Sequence, residues 1–197
     1  MTNLAWNVER VLPSAIADLH RLISIPSISS MPEHDADVAA CADAVSGLFR
    51  DLGASEVKLL DGGGKPAVWA NFPGPEGTPT VLLYAHYDVQ PTGDTDAWTS
   101  PAFEPTERDG RLYARGSADD KGGVALHVAA LRVFDGKPPV GVKVFIEGEE
   151  EVGSPSMPTL LDRYRDELAA DVYVVADSVN WEVGKPSLTM RKSYIEL

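Results

Sequence analysis

Hydrophobic residues recur at two different spacings along this 197-residue chain. A spacing of three or four residues predicts amphipathic helices. These lie over 16–23 with Ile16, Leu19, Leu22 and Ile23 on the apolar face, over 38–52, over 124–134 with Val124, Val128, Leu131 and Phe134 facing inward, and over 155–164. Short apolar runs bounded by turn residues predict strands. These lie over 57–60, 67–72, 80–85, 111–114, 142–146 and 172–175, with a last extended segment over 187–197.

The order of these elements predicts the fold class. From residue 80 onward, strands alternate with helices, which favours an α/β fold with a mixed sheet flanked by helices. Gly and Pro clusters at 62–64 and 73–79 separate the early strands as turns. Because no repeat, low-complexity tract or linker divides the chain, we expect residues 1–197 to form a single domain.

The charge of the chain limits its partners. Asp and Glu total 30 against 17 Lys and Arg, which gives a formal net charge of -13. Such a charge repels the phosphates of nucleic acids and anionic membrane surfaces, so neither is an expected partner. No segment reaches the ~18 apolar residues of a membrane span, and no signal-peptide pattern opens the chain, so we expect a cytoplasmic location. The single cysteine, Cys41, lies among apolar residues at helical spacing and is interpreted as a small buried side chain.

Polar side chains that could bind a metal follow four of the predicted strands. They are His86 and Asp88, Asp119 and Asp120, the acidic run 147–151, and Asp177. Ligands of open α/β sheets collect outside the carboxyl ends of the strands. One imidazole with several carboxylates is a nitrogen and oxygen ligand set that suits zinc, manganese or cobalt. The number of carboxylates favours two metal ions over one.

Each of these segments also has a purely structural interpretation. His86 and Asp88 share one face of an extended segment, so Asp88 either accepts the second ring N–H of a metal-bound His86 or caps a turn. Asp119 and Asp120 precede a helix, where carboxylates serve as N-caps. The run 147–151 could be a solvated loop, although like charge directly after a buried strand requires a cation or a proton as compensation.

In combination and in this order, the segments resemble the M20 metallopeptidases, which include carnosinase-like dipeptidases, carboxypeptidase G-like enzymes and aminoacylases. The matching segments are LYAHYDVQP (83–91), GRLYARGSADDKG (110–122), EGEEEVGS (147–154) and ADS (176–178), with Trp98, Pro101 and Phe103 between the first two. Within the family, Tyr87 and Gln90 resemble the dipeptidase branch, since deacylases and desuccinylases more often carry Thr and Val at these positions.

The resemblance implies a role for each matched residue. His86 and Asp177 would bind the first metal, Asp119 would bridge both metals, and Glu151 would bind the second. Two zinc ions would fill a complete site, with Mn²⁺ or Co²⁺ as alternatives. The family also implies a cis peptide bond between Asp119 and Asp120.

Two further residues would act on the reaction itself. The resemblance implies that Asp88 orients His86 and that Glu150 is the general base, which takes a proton from a water held between the metals. The implied function is metal-dependent hydrolysis of peptide bonds in dipeptides or short peptides.

Family members continue into a smaller lid or dimerisation domain and return to the catalytic domain with a late His ligand. This sequence ends at Leu197, about where the lid would begin, and His20, His34 and His127 are expected to be structural or solvated. We therefore expect a partial, zinc-peptidase-like catalytic domain with little activity alone, which forms a homodimer or associates with a missing C-terminal portion. The alternatives are a non-catalytic metal-binding or partner-binding module and an N-acyl-amino-acid deacylase of the same family.

Overall fold

The computed structural model describes residues 4–178, 180, 182, 184 and 185. The helices are α1 (Leu4–Ile23), α2 (Asp35–Asp51), α3 (Lys121–Val133), α4 (Met157–Arg163) and α5 (Arg165–Leu168). The strands are β1 (Glu56–Leu60), β2 (Ala67–Phe72), β3 (Thr80–His86), β4 (Thr106–Arg108), β5 (Arg111–Tyr113), β6 (Gly141–Glu147) and β7 (Val172–Val175). The extended segment predicted over 187–197 lies outside the described residues.

Five strands form one mixed sheet in the order β1-β2-β6-β3-β7. The strands β6, β3 and β7 run parallel, with β3 in the middle, whereas β1 and β2 pair antiparallel. In the register of β3 with β6, His86 pairs with Glu147, so both strands end at the same level. The prediction of an α/β fold with a mixed sheet is confirmed.

Helices cover both faces of this sheet. Val142, Val144 and Ile146 of β6 belong to a core that also contains buried residues of α2 and α3. The alternate residue Phe145 belongs to a second core, on the opposite face, with Leu160 of α4 and Leu168 of α5. Successive side chains of a strand point to opposite faces, so β6 joins the two helical layers. Cys41 lies fully buried in the first core, which confirms its interpretation, and burial raises the pKa of its thiol.

The strand predicted at 111–114 forms, but not within the main sheet. Its residues, β5, pair with β4 as a separate two-stranded hairpin. Asp109 and Gly110 between them have φ of 50° and 72°, and positive φ at both central residues suits a two-residue hairpin turn. The prediction from the alternation of elements, which placed this strand in the main sheet, is therefore wrong. The tight turn brings β5 beside β4, and the two strands pair with each other.

Two apolar positions were assigned to the wrong surface. Phe134 is 38% exposed, because α3 ends at Val133 and Phe134 caps it. Ile16 is 37% exposed, whereas Val11 and Ala15 are buried on the face of α1 that packs against α3. No helix in the described part of the chain is both long and apolar enough to cross a bilayer.

A fully buried lysine joins α3 to the end of α1. Lys121, the first residue of α3, donates from Nζ to the carbonyl oxygens of Leu22 at 2.8 Å and Ile25 at 2.6 Å. Burial lowers the pKa of its ammonium group. The segment after α1 is thus fixed to the turn that carries Asp119 and Asp120.

Truncation of one buried and one exposed phenylalanine should lower the free energy of unfolding by different amounts. Phe49 is fully buried in the first core, so Phe49→Ala should lower the free energy of unfolding by about 3–5 kcal/mol. Phe134→Ala, at the exposed end of α3, should lower it by no more than about 0.5 kcal/mol. Urea unfolding of both variants measures the difference. An equal loss in the two would show that Phe134 is a core residue.

Candidate metal centre

The three parallel strands bring polar residues to one edge of the sheet. His86 ends β3 beside Glu147, which ends β6. The amide of Ala176, just after β7, donates to the carbonyl oxygen of Tyr84 at 3.1 Å, which sets Asp177 next to the end of β3. His86, the acidic run 147–151 and Asp177 therefore meet at the carboxyl end of the sheet.

His86 is fully buried at the centre of this edge. Its Nδ1 lies 3.1 Å from the backbone oxygen and 3.3 Å from Oδ1 of Asp88, and since both are acceptors, Nδ1 carries a proton. Its Nε2 lies 3.0 Å from Oδ1 of Asp119 and 3.9 Å from Oε2 of Glu150. Burial by itself lowers the pKa of His86, but the hydrogen bond and charge of Asp88, with the surrounding carboxylates, raise it to about 10. The metal-free imidazole is therefore a cation at neutral pH, held among carboxylates.

Among the residues that the structure describes, two groups of possible ligand atoms share this imidazole. His86 with Asp119 and Glu151 forms one group, and His86 with Asp120 and Asp177 forms the other. Within each group, one ligand atom from every residue lies within 4.8 Å of the others. Three protein ligands of nitrogen and oxygen type are what a catalytic zinc site uses, since a fourth position stays open. The residues present therefore fit a divalent cation.

Adjacent carboxylates at the start of α3 have separate tasks. The side chain of Asp120 is buried and accepts the amides of His86 at 3.1 Å and Gly123 at 3.2 Å, so it caps the helix. Burial raises the pKa of Asp120 to about 7. The side chain of Asp119 is 63% exposed and faces His86, across a cis peptide bond from Asp120. The capping interpretation thus applies to Asp120, and it is Asp120 that is grouped with Asp177.

The carboxylates of the acidic run 147–151 have two kinds of surroundings: some accept hydrogen bonds from protein donors, and others face His86. Glu147 accepts the hydroxyl of Tyr84 at 2.5 Å, and burial raises the pKa of its carboxyl. Glu149 accepts the amide of Lys65 at 2.8 Å and the hydroxyl of Ser156. Protein donors satisfy these two carboxylates, so of the two compensations expected for the run, a cation or a proton, they do not require the cation. Glu150 and Glu151 remain turned toward His86.

Gly148 is required between these carboxylates by a close approach. A Cβ at this position would lie 2.2 Å from the hydroxyl oxygen of Tyr87. Tyr87 is fully buried, and its hydroxyl donates to the carbonyl oxygen of Pro66 at 2.6 Å, so it cannot easily withdraw.

Other site residues were not recognised in the sequence. Ser29 donates to the carboxylate of Asp88, 59 residues along the chain, and no spacing signal connects the two. Gln90 donates from Nε2 to the carbonyl oxygen of Glu151 at 3.0 Å and to its carboxylate at 2.8 Å. In the sequence, Gln90 is only a marker of one branch of the family. His127 is buried and donates to the carbonyl oxygen of Tyr84 at 2.8 Å, in keeping with a structural role.

Comparison with known proteins identifies the family. The family model described as Peptidase family M20/M25/M40 matches residues 82–191. The chain is 39% identical, over 95% of its length, to cysteinylglycine-S-conjugate dipeptidase of Corynebacterium striatum and covers 41% of that protein. The structure of the dipeptidase Dug1p from Saccharomyces cerevisiae superposes with a TM-score of 0.83 at 25% identity, over 89% of this chain and 40% of that one.

Human carnosine dipeptidase 1 is a second structural relative, with a TM-score of 0.82 at 27% identity. The match extends over 89% of this chain and 41% of that one, so the chain spans about two fifths of the length of these relatives. Because the family model covers more than half of the residues, and the fold agrees with that of these relatives, the chain belongs to peptidase family M20/M25/M40.

Proposed function

We propose that residues 1–197 form part of a single catalytic domain that hydrolyses the peptide bond of dipeptides or short peptides with the help of divalent metal ions, and that this portion has little activity alone. The observation that carries this proposal is a single buried imidazole, His86, shared by two groups of carboxylates with Glu150 beside it. The choice of substrate rests on the relatives named above, which are called dipeptidases.

Four side chains would hold the metal ions in this proposal: His86, Asp119, Glu151 and Asp177. We propose zinc, with Mn²⁺ or Co²⁺ as alternatives, because the ligand set combines one imidazole nitrogen with carboxylate oxygens. Metal ions bound there would polarise the scissile carbonyl and lower the pKa of an attacking water.

Glu150 is the proposed general base. Its Oε2 lies 3.9 Å from Nε2 of His86, and its side chain is 37% exposed, so it borders the ligand groups and is open to a substrate. Partial burial raises the pKa of its carboxyl, which brings the group closer to the pH at which a base works best. Glu150 would accept a proton from the attacking water and then deliver it to the departing amine.

Asp88 is the proposed orienting residue for His86. Because its backbone oxygen and its carboxylate both face Nδ1, the imidazole proton stays on Nδ1. Once Nε2 loses its own proton, its lone pair points toward the carboxylates, which is the orientation that a metal-binding histidine needs.

Removal of His86 should abolish tight metal binding. Loss of an outer partner of a metal ligand costs 10–100-fold in affinity, so loss of a ligand shared by both groups should cost at least about 100-fold in His86→Ala. Calorimetric titration with Zn²⁺ measures this affinity. His34→Ala is the matched control, since His34 pairs with Asp37 and should leave the affinity unchanged. Equal affinities in the two variants would remove His86 from the metal site.

Neutralisation of Glu150 should stop catalysis but not metal binding. Without a proton acceptor, Glu150→Gln should lower the rate of dipeptide hydrolysis by about 10²–10⁴-fold while Zn²⁺ affinity remains. Glu76→Gln is the control, because Glu76 is exposed in the loop before β3, at the opposite edge of the sheet. The assay compares a dipeptide with an N-succinyl amino acid in the presence of zinc.

The results of this assay separate the competing functions. Hydrolysis by Glu150→Gln at the wild-type rate would contradict the role of Glu150. Preferential cleavage of the N-succinyl compound would identify a deacylase. Zinc binding by the wild-type chain without cleavage of either compound would fit both a metal-binding module and a catalytic portion that is inactive alone, and the same assay on a longer chain then separates the two.

A further inference from the structure

A short buried segment between α1 and α2 lies against the chain that leaves β3. We call residues 27–29 the strap. The hydroxyl of Ser27 donates to the carbonyl oxygen of Tyr87 at 2.7 Å, and the amide of Val89 donates to the carbonyl oxygen of Ser27 at 3.0 Å. Ile28 forms a parallel bridge with Val89. The exposed fractions of the three strap residues are 0%, 3% and 8%, so the strap is part of the interior.

The strap ends on the carboxylate of Asp88. The hydroxyl of Ser29 donates to Oδ2 of Asp88 at 2.6 Å. The same carboxylate accepts the backbone amides of Glu150 at 3.2 Å, through Oδ1, and Glu151 at 3.1 Å, through Oδ2. Nδ1 of His86 lies 3.3 Å from Oδ1. A carboxylate has about four acceptor positions, and here four residues supply donors to them.

We propose that Ser29 is a positioning residue for the metal centre. Its hydroxyl fixes the rotation of the Asp88 carboxylate, and Asp88 in turn holds the backbone of Glu150 and Glu151 in place beside His86. This goes beyond the orientation of His86 by Asp88, and it rests on the proposed function, which assigns Glu150 as base and Glu151 as ligand.

The physical basis is the strength and burial of this hydrogen bond. The Ser29 contact is the shortest of the four, and a hydroxyl bound to a carboxylate forms a charge-assisted bond about twice as strong as a neutral one. Asp88 is 0% exposed, so water cannot readily replace the hydroxyl. The terminal torsion of an aspartate has a broad, two-fold profile, so loss of the Ser29 hydroxyl removes the shortest of the contacts that restrain the rotation of this carboxylate.

The strap itself is anchored to the same site from its other end. Lys121 holds the carbonyl oxygens of Leu22 and Ile25 just before the strap, and it directly follows Asp119 and Asp120 in the chain. The strap therefore lies between two fixed points of the metal centre. Loss of the Ser29 hydroxyl should act on Asp88 without releasing the strap.

A pair of serine variants tests the proposal. Ser29→Ala and Ser27→Ala each delete one buried hydroxyl of the strap, but only the first deletes a donor to Asp88. In the metal-free chain, hydrogen exchange followed by NMR reports whether the amides of Glu150 and Glu151 stay protected. Calorimetric titration then gives the Zn²⁺ affinity of each variant.

Ser29→Ala should weaken zinc binding by about 10–100-fold, the range known for outer partners of metal ligands. The two amides should exchange at least about 10-fold faster, since their shared acceptor has lost its fixed orientation. Ser27→Ala should leave both quantities within about 3-fold of wild type, since its hydroxyl binds a backbone carbonyl oxygen rather than Asp88. Ser29→Thr, which keeps the hydroxyl, should restore both.

Equal effects of Ser29→Ala and Ser27→Ala on exchange and on zinc affinity would reduce Ser29 to a packing role and overturn the proposal. If Ser29→Ala does not fold, Ser29→Cys takes its place, since a thiol is similar in size but a weak donor. A wild-type chain without affinity for zinc, Mn²⁺ or Co²⁺ would instead overturn the proposed function. Exchange of the Glu150 and Glu151 amides needs no metal, so it still decides whether Ser29 holds Asp88 in place.

Discussion

The site depends on the parallel alignment of three neighbouring strands. Because β6, β3 and β7 run in one direction with β3 between the others, their carboxyl ends meet at a single edge. A parallel strand requires a crossover connection, and here the crossovers supply α3 on one face of the sheet and α4 and α5 on the other. One of them, α3, begins at this same edge, so its capping residue Asp120 binds the amide of His86. Sheet direction thus places residues from distant parts of the chain around one imidazole.

Charge at this edge is balanced in two different ways. Glu147 and Glu149 are satisfied by donors from Tyr84, Lys65 and Ser156, so they need no cation. Asp119 and Glu150, by contrast, form their ion pairs with His86, whose imidazole is the cation that they surround in the metal-free chain. Glu147 and Glu149 thus shape the loop, whereas Asp119 and Glu150 face the imidazole at the proposed metal site.

Asp88 joins these parts because a buried carboxylate requires hydrogen-bond donors to offset its lost hydration. Its donors come from the strap, from β3 and from the loop after β6, which are separate elements of the fold. Correct placement of the proposed base and ligands therefore depends on this shared carboxylate. A substitution in the strap that removes the hydroxyl of Ser29, which is remote in sequence, should therefore weaken metal binding at the proposed site.

The sequence by itself determined the local structure and most of the chemistry. Helical and strand spacing depends on neighbours within a few residues, so the main-sheet strands and the buried position of Cys41 were predicted from the pattern alone. The ligand-type residues were recognised for a similar reason, since His86, Glu151 and Asp177 directly follow apolar strands in the chain.

Tertiary structure decided which partner each of these segments takes. The turn at Asp109 and Gly110 pairs β5 with β4 rather than with the main sheet, and the end of α3 leaves Phe134 exposed. Asp119 and Asp120 are adjacent in the sequence, and no periodicity distinguishes their side chains. In the folded chain, Asp119 lies with Glu151 in one ligand group, whereas Asp120 lies with Asp177 in the other. Ser29 meets Asp88 only because the chain returns to the end of β3, and contacts between residues far apart in sequence leave no trace in local spacing.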